Sequence, residues 1–477
     1  MIKPVLLWTD VLIFVLVAIV VVFALYARYH EHLRAPWRQV FRSRTGVASL
    51  LVLSLYVLIA LLDSVHFRLP LATKVGAAQA TAITQQQDHY SVEVLSLLDM
   101  VVKPLREQGE KTYSAPLATE LFARETVESA DGGQQRLYPR LRYGGAHLED
   151  PAADRKMDLF KRSVVAILSA LLLWLVLMTL LLRLLARRRQ LSLALMLDNI
   201  LHQRESVPWV VVVLVSALLL VLIMLMMQLA PHYHLFGTDK VGQDVLYQAL
   251  KSIRTALAIG TLTTLVMLPF AVLLGILAGY FRGWVDDVIQ YLYTTLNSIP
   301  GVLLIAAAVL MLQVYIDTHA ELFATDAERA DMRLLFLCLI LGITSWTGLC
   351  RLLRGETLKI REVEYIQAAT AFGVRSSRII SRHILPNVMH IVLISVVLDF
   401  SGLVLAEAVL SYVGVGVDPS MHSWGNMINS ARLEMAREPM VWWALVAAFI
   451  FMFVLVLAAN LFADVVRDAF DPRLRKG

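Results

Sequence analysis

The sequence predicts an all-α polytopic membrane protein with about nine transmembrane helices and one small domain outside the bilayer. Three observations predict it. Apolar residues make up 58% of the 477-residue chain and the mean hydropathy is +0.66, too apolar for a water-soluble chain of this length. Nine apolar runs, suited by length to cross hydrocarbon, are separated by polar stretches. Arginine clusters follow alternate runs, which orients the chain by the positive-inside rule.

The net charge of +5 does not point to nucleic acid, because the arginines sit beside apolar runs and form no separate basic face. The expected surrounding is a lipid bilayer. Cys338 and Cys350 fall in one apolar segment, about 18 Å apart if it is a single helix, too far for a disulfide. No cysteine or histidine spacing suits a metal, so the metal expectation is none.

Taken in order, residues 1–62 hold two transmembrane helices, at about 5–27 and 46–62. Arg28, Arg34, Arg38, Arg42 and Arg44 lie between them and place that loop in the cytoplasm. The first run exceeds a signal-peptide core and no small-residue cleavage pattern follows, so it reads as a retained span with the N-terminus outside. Residues 63–162 turn polar, with Gln85–Gln87, Asp131-Gly132-Gly133 and Gly144-Gly145, and are expected to form an extracytoplasmic α/β or α domain. Val92, Leu95, Leu98, Val102 and Leu105 recur at helical spacing, while Tyr138–Tyr143 carries a short strand pattern. His66, His89 and His147 are scattered and read as surface histidines.

Residues 163–208 supply a third span, at about 163–182, ending in Arg183, Arg187, Arg188 and Arg189, then a cytoplasmic connector. Within it, Leu191, Leu193, Leu195 and Leu197 alternate with polar residues and continue through Asp198, Asn199 and Arg204, the pattern of a linker helix along the membrane. Residues 209–477 hold six more spans, at about 209–229, 255–279, 288–315, 333–350, 388–412 and 441–463. Pro300, just after Asn297, should kink or interrupt the third of these, and such breaks often line a protein interior. Asp317, Glu321, Asp326, Glu328 and Asp331 fill the next, exterior loop. Arg351, Arg354, Lys359 and Arg361 then return the chain to the cytoplasm, so loop 351–387 is cytoplasmic and nine spans leave the C-terminus inside.

That loop contains Glu364-Tyr365-Ile366-Gln367-Ala368-Ala369, then Gly373, then Leu385-Pro386. The alanines admit a close approach, the glycine permits a turn between short helices, and the proline restricts how the next span begins. The spacing resembles the coupling loop of ABC importer permeases, with Gln367 where Glu is usual and His383 where Ile is usual. The resemblance extends through residues 231–477. His234-Leu235-Phe236-Gly237-Thr238-Asp239, followed by Gly242-Gln243-Asp244-Val245, is similar to a signature of dipeptide and oligopeptide permeases. Glu407–Gly414, Ser423–Met427 and Asn460–Arg473 are similar to later motifs of the same family.

The resemblance implies a type I importer core of six helices, extended by three N-terminal spans. It also implies a homologous second permease, two ABC ATPase subunits and an extracytoplasmic substrate-binding protein, in the bacterial cytoplasmic (inner) membrane. Glu364, Gln367, Ala368, Ala369, Gly373, Leu385 and Pro386 would couple to an ATPase. Gly237, Thr238, Asp239, Gly242 and Asp244 would form an outer-face motif, in which Asp239 or Asp244 can cap the following helix. No phosphate-binding loop occurs in the sequence, so the chain is read as a non-enzyme that binds no cofactor, with ATP and Mg held by the partner ATPases.

Peptides are the expected cargo, with nickel, glutathione or another small solute as alternatives. A different class, an ion-coupled secondary transporter, would use Asp399 and Glu407, which lie within about 80° of each other on one helix. Glu407 also admits a packing or hydrogen-bonding role, and the role of Asp399 stays open. Gln367→Glu is expected to be tolerated and Gly373→Val to uncouple ATP hydrolysis from transport.

Overall fold

The computed structural model describes residues 3–70, 90–128, 134–190 and 207–470, except 92, 320, 322 and 324, together with 192, 195, 198 and 200. His89, Gln85–Gln87, Asp131–Gly133, most of the connector and the last motif residues Asp471–Arg473 lie outside that set.

Among the described residues, nine helical stretches are long and apolar enough to cross a membrane. In order they begin with α1 (Trp8–Tyr29), an amphipathic α2 (Glu31–Arg42) and α3 (Arg44–Asp63). A small domain follows, with α4 (Leu97–Val101) and α5 (Lys103–Glu107). Then come α6 (Pro151–Arg189), α7 (Trp209–Leu229), α8 (Val245–Phe281), α9 (Trp284–Ser298) and α10 (Gly301–Thr318). The chain continues through α11 (Asp326–Ser345), α12 (Thr347–Arg361), α13 (Glu364–Ala371) and α14 (Ser376–Ile379). It closes with α15 (Leu385–Val413), α16 (Trp424–Glu434) and α17 (Trp443–Phe470).

The core is built around α8, which is buried on most of its length and touches α3, α11, α12, α15 and α17. Tyr56 and Ala60 of α3 pack with Ala444, Ala447 and Leu455 of α17, and the Tyr56 hydroxyl donates to the Phe451 carbonyl at 2.9 Å. By contrast α7 lies against α6 and α3, and its membrane-length stretch has no buried residue, so its apolar surface faces outward. Pro300 divides one apolar run into α9 and α10, because its ring fixes φ and removes a donor at the junction.

At one end of the bundle, strand β1 (Lys3–Val5) pairs antiparallel with β2 (His66–Arg68), which pairs with β3 (Leu95–Ser96). A separate hairpin joins β4 (Glu125–Glu128) to β5 (Gln134–Leu137). The strand expected at Tyr138–Tyr143 therefore falls just upstream, at Gln134–Leu137. The reason is visible: the N–H groups of Arg142 and Tyr143 donate to the Glu110 carboxylate, at 2.8 Å each, and not to a ladder. The single helix expected over Val92–Leu105 is instead β3, α4 and α5. Pro104 starts the last of these, and Ser96 and Asp99 form a capping box at the first.

The expectation of surface histidines fails at His66, whose Nδ1 lies 2.8 Å from Asp10 Oδ2 with little exposure. His147 is exposed as expected, with its Nε2 2.8 Å from Asp158 Oδ2. Cys338 and Cys350 sit on successive helices, α11 and α12, and not on one continuous helix.

Candidate functional site

The coupling stretch forms a compact unit at the end of the bundle away from the small domain. α12 ends at Arg361, whose Nη1 donates to the Tyr280 carbonyl at 2.7 Å, and α13 begins three residues later. Ile366, 1% exposed, is the only buried residue of α13 and packs with Ile379, Ile384, Val388 and Leu353. The rest of that helix faces outward: Glu364, Gln367 and Ala368 are exposed, Ala369 is half-buried, and Phe372 just beyond is 87% exposed. With one buried side chain, this helix leaves most of its surface open.

The turn after α13 is a Schellman motif. Val374 N–H donates to the Ala369 carbonyl at 3.1 Å and Gly373 N–H to that of Thr370 at 3.0 Å, with Gly373 at φ +73°. α14 then passes through a π-helical turn, Ile380–Ile384, into α15, with Leu385 N–H donating to the Ile380 carbonyl. Pro386 supplies the cause: it has no N–H to give and its ring would collide with the carbonyl four residues back, so the helix widens just before it. Leu385 is half-buried and Pro386 exposed.

Gln367, the departure from the family pattern, donates its amide to the Glu362 carbonyl at 3.2 Å and carboxylate at 3.3 Å. Glu362 in turn pairs with Arg282. Behind this, Arg354 grips Asp286 through two bonds of 2.5 and 2.7 Å, joining α12 to α9. Asn297 Oδ1 accepts from the Thr347 hydroxyl at 3.1 Å, at the start of α12.

The other motif, at the opposite end, serves as a clamp. Asp244 caps α8 through the N–H groups of Leu246 and Tyr247, at 2.8 and 3.2 Å. Asp239 accepts from the N–H groups of Val241 and Gln243 at 2.9 Å, ordering the preceding turn. Thr238 is fully buried, donating to the Thr112 carbonyl at 2.8 Å and accepting from Ser114 N–H at 2.7 Å. Gly237 and Gly242 both have positive φ and lie under the backbone of Ser114 and Glu110. The motif is thus covered by segment 110–118 of the small domain.

A buried charged triad completes it. His234 Nδ1 lies 2.7 Å from Asp244 Oδ2, and its Nε2 3.4 Å from Glu110 Oε1. Burial pulls the His234 pKa down, but hydrogen bonds to Asp244 and Glu110 push it up to about 9. Burial alone would raise Glu110; His234 and three backbone N–H groups hold it at about 2.

Two further buried networks were not singled out from the sequence. Arg254 on α8 donates to Asp10 on α1 at 2.6 and 2.9 Å and to Thr9 at 3.0 Å, with Asp331 of α11 at 3.5 Å. One turn earlier, Lys251 meets Asp63 at 2.6 Å and Asp99 at 3.2 Å, and Tyr247 donates to Asp99 at 2.8 Å. The signal available was a charge inside or beside an apolar run. Glu407 is buried and accepts from the Ser411 hydroxyl at 2.7 Å, whereas Asp399 is half-buried with no hydrogen bond or ion pair among the described residues.

Residues 271–476 match the family described as "Binding-protein-dependent transport system inner membrane component". The chain is similar to the oligopeptide transport system permease protein OppC of Mycobacterium tuberculosis, at 34% identity over 51% of this chain and 77% of that protein. It is similar to the glutathione transport system permease protein GsiD of Pectobacterium atrosepticum, at 32% over 51% and 73%. Against OppC of Haemophilus influenzae the identity is 31%, over 52% of this chain and 75% of the relative. With nine candidate spans and this degree of likeness over most of the relatives' length, the chain belongs to the family of inner-membrane permease components of binding-protein-dependent ABC importers.

Proposed function

We propose that this chain is the non-catalytic permease subunit of a peptide importer. It forms the translocation path with a homologous second permease and is driven by two ABC ATPases docked on residues 364–386. The observation that carries the reading is α13, which buries only Ile366 and leaves Gln367 and Ala368, with Phe372 just beyond, exposed between two membrane-length helices. A partner that pulls on such a helix moves α12 and α15 together, so ATP held by the partner can bias an inward-open against an outward-open state. ATP and Mg act on those partners. In this reading the small domain and N-terminus face the outside, where an extracytoplasmic binding protein delivers substrate, and the coupling loop faces the cytoplasm with the C-terminus.

Di- and oligopeptides are the favoured cargo because permeases similar to this chain are named for oligopeptide, dipeptide and glutathione transport. Glutathione, itself a small peptide, is the second reading, favoured by the GsiD likeness. An ion-coupled transporter is not favoured: Glu407 is bonded to Ser411 and lies about 12 Å along the helix from Asp399. The test is co-purification with candidate ATPases. Deleting residues 364–385 should abolish co-elution and ATP turnover, and intact turnover after the deletion would reject the reading.

A further inference from the structure

α2 is an amphipathic helix confined between two spans, so it lies at the membrane surface. One face is committed to the protein: Val40 is 1% exposed against Val466 and Ala469 of α17, and Trp37 stands edge-on to Phe470 with ring centroids 5.8 Å apart. Arg34, Arg38 and Arg42 follow at intervals of four, which sets them in one row along the helix. All three are exposed and none makes an ion pair or hydrogen bond among the described residues.

Fold-stabilising pairs were within reach in principle, because the α17 turn against which α2 packs carries Asp464 and Asp468. Both pair with Arg467 of their own helix instead, at 3.2 and 3.5 Å. Among the described residues the arginine row is therefore not used to attach α2. Phe41, 45% exposed, stands beside that row, so the free side of the helix offers an aromatic ring next to three guanidinium groups. That combination suits the boundary between anionic headgroups and acyl chains.

We propose that the Arg34–Arg38–Arg42 row of α2 is a binding site for the phosphate headgroups of anionic phospholipid, with Phe41 as its acyl-side anchor. Guanidinium groups bind phosphate oxygens through paired N–H donors, and zwitterionic lipid offers no net charge to match. Because α2 rests on the last turns of α17, bound lipid also braces that end of the core. The inference rests on the membrane location of the chain but not on its cargo or its ATPase partners.

The test uses the full-length chain in nanodiscs of equal phosphatidylglycerol and phosphatidylcholine, released for native mass spectrometry. Wild type should retain phosphatidylglycerol preferentially, and R34Q/R38Q/R42Q should lose that preference by roughly five-fold per arginine. R34K/R38K/R42K should keep most of it. Unfolding temperature in neutral detergent should not change, which separates lipid loss from misfolding. Unchanged preference in the glutamine variant would overturn the proposal. So would lost ATPase co-elution in lipid-free detergent, which would assign the row to a protein partner.

Discussion

The backbone N–H of Glu110 donates to the carbonyl of Gly242 at 2.9 Å, and a Cβ added to that glycine would lie 1.8 Å from the Glu110 carbonyl oxygen. This one contact ties the small domain to the turn that starts α8. It also shows why the second glycine of the Gly237–Asp244 motif is needed in this chain: the φ of +79° and the overlying Glu110 backbone exclude a side chain on two independent grounds.

Gly242→Ala is therefore expected to cost about 2 kcal/mol or more, from conformational strain plus steric displacement. Gly373, at φ +73°, has nothing within 4 Å of an added Cβ, so Gly373→Ala should cost only about 1 kcal/mol. Thermal unfolding of both variants in one detergent tests the order; equal losses would contradict it. Gly373→Val, β-branched at positive φ, should unfold the turn and lower transport per ATP hydrolysed.

The His234 triad gives a pH dependence with a definite sign. A histidine raised from 6.5 to about 9 contributes stability that is fully present below pH 6.5 and lost as pH rises through 9. Protection factors of residues 110–118, taken relative to the intrinsic base-catalysed exchange rate, should fall across that window in the wild type. In His234→Gln they should be lower throughout and flat with pH; a pH-independent wild-type protection factor would show that His234 stays neutral.

Removing Arg254 leaves Asp10 and Asp331 buried without their cation. Arg254→Ala should cost about 3–5 kcal/mol, more than Asp10→Asn, which leaves Arg254 its second carboxylate. Yield of folded protein and unfolding temperature report the difference. Comparable losses from the two substitutions would mean that Asp331 contributes little.

Phe372→Ala should weaken ATPase co-elution by roughly 30-fold, the scale of an interface hot spot, with no change in unfolding temperature because the ring packs on little within the chain. Ile366→Ala should lower both, since it empties the seat of α13. A Phe372→Ala variant that binds as well as wild type would remove this ring from the docking surface.

Gln367→Glu, expected from the sequence to be tolerated, now places a carboxylate beside that of Glu362. Because the pair is exposed and Arg282 is close, the cost should stay below about 0.5 kcal/mol, seen as a small loss at low salt that vanishes at high salt. A large, salt-independent loss would indicate a tighter site than the geometry shows.

The sequence by itself determined the membrane class, the number of apolar spans and the family, because each rests on local composition or on spacing within a few turns. The 364–386 motif was legible for the same reason: its turn glycine and helix-widening proline act on their own backbone neighbours. Tertiary structure decided which apolar helix enters the core. α7 is the more apolar run of the two, yet it is α3 that packs along α8 and α17, while α7 reaches that cluster at its end through Met226. It also decided that the Gly237–Asp244 motif is a clamp, since Glu110 is 132 positions from Gly242 and nothing local marks them as partners. The strand misplaced at Tyr138–Tyr143 has this origin too, its N–H groups being claimed by a distant carboxylate. Buried charges choose partners by proximity in space, and Asp10, Arg254 and Asp331 are shut off from solvent within the protein, so their meeting ties α1 to α8 and α11.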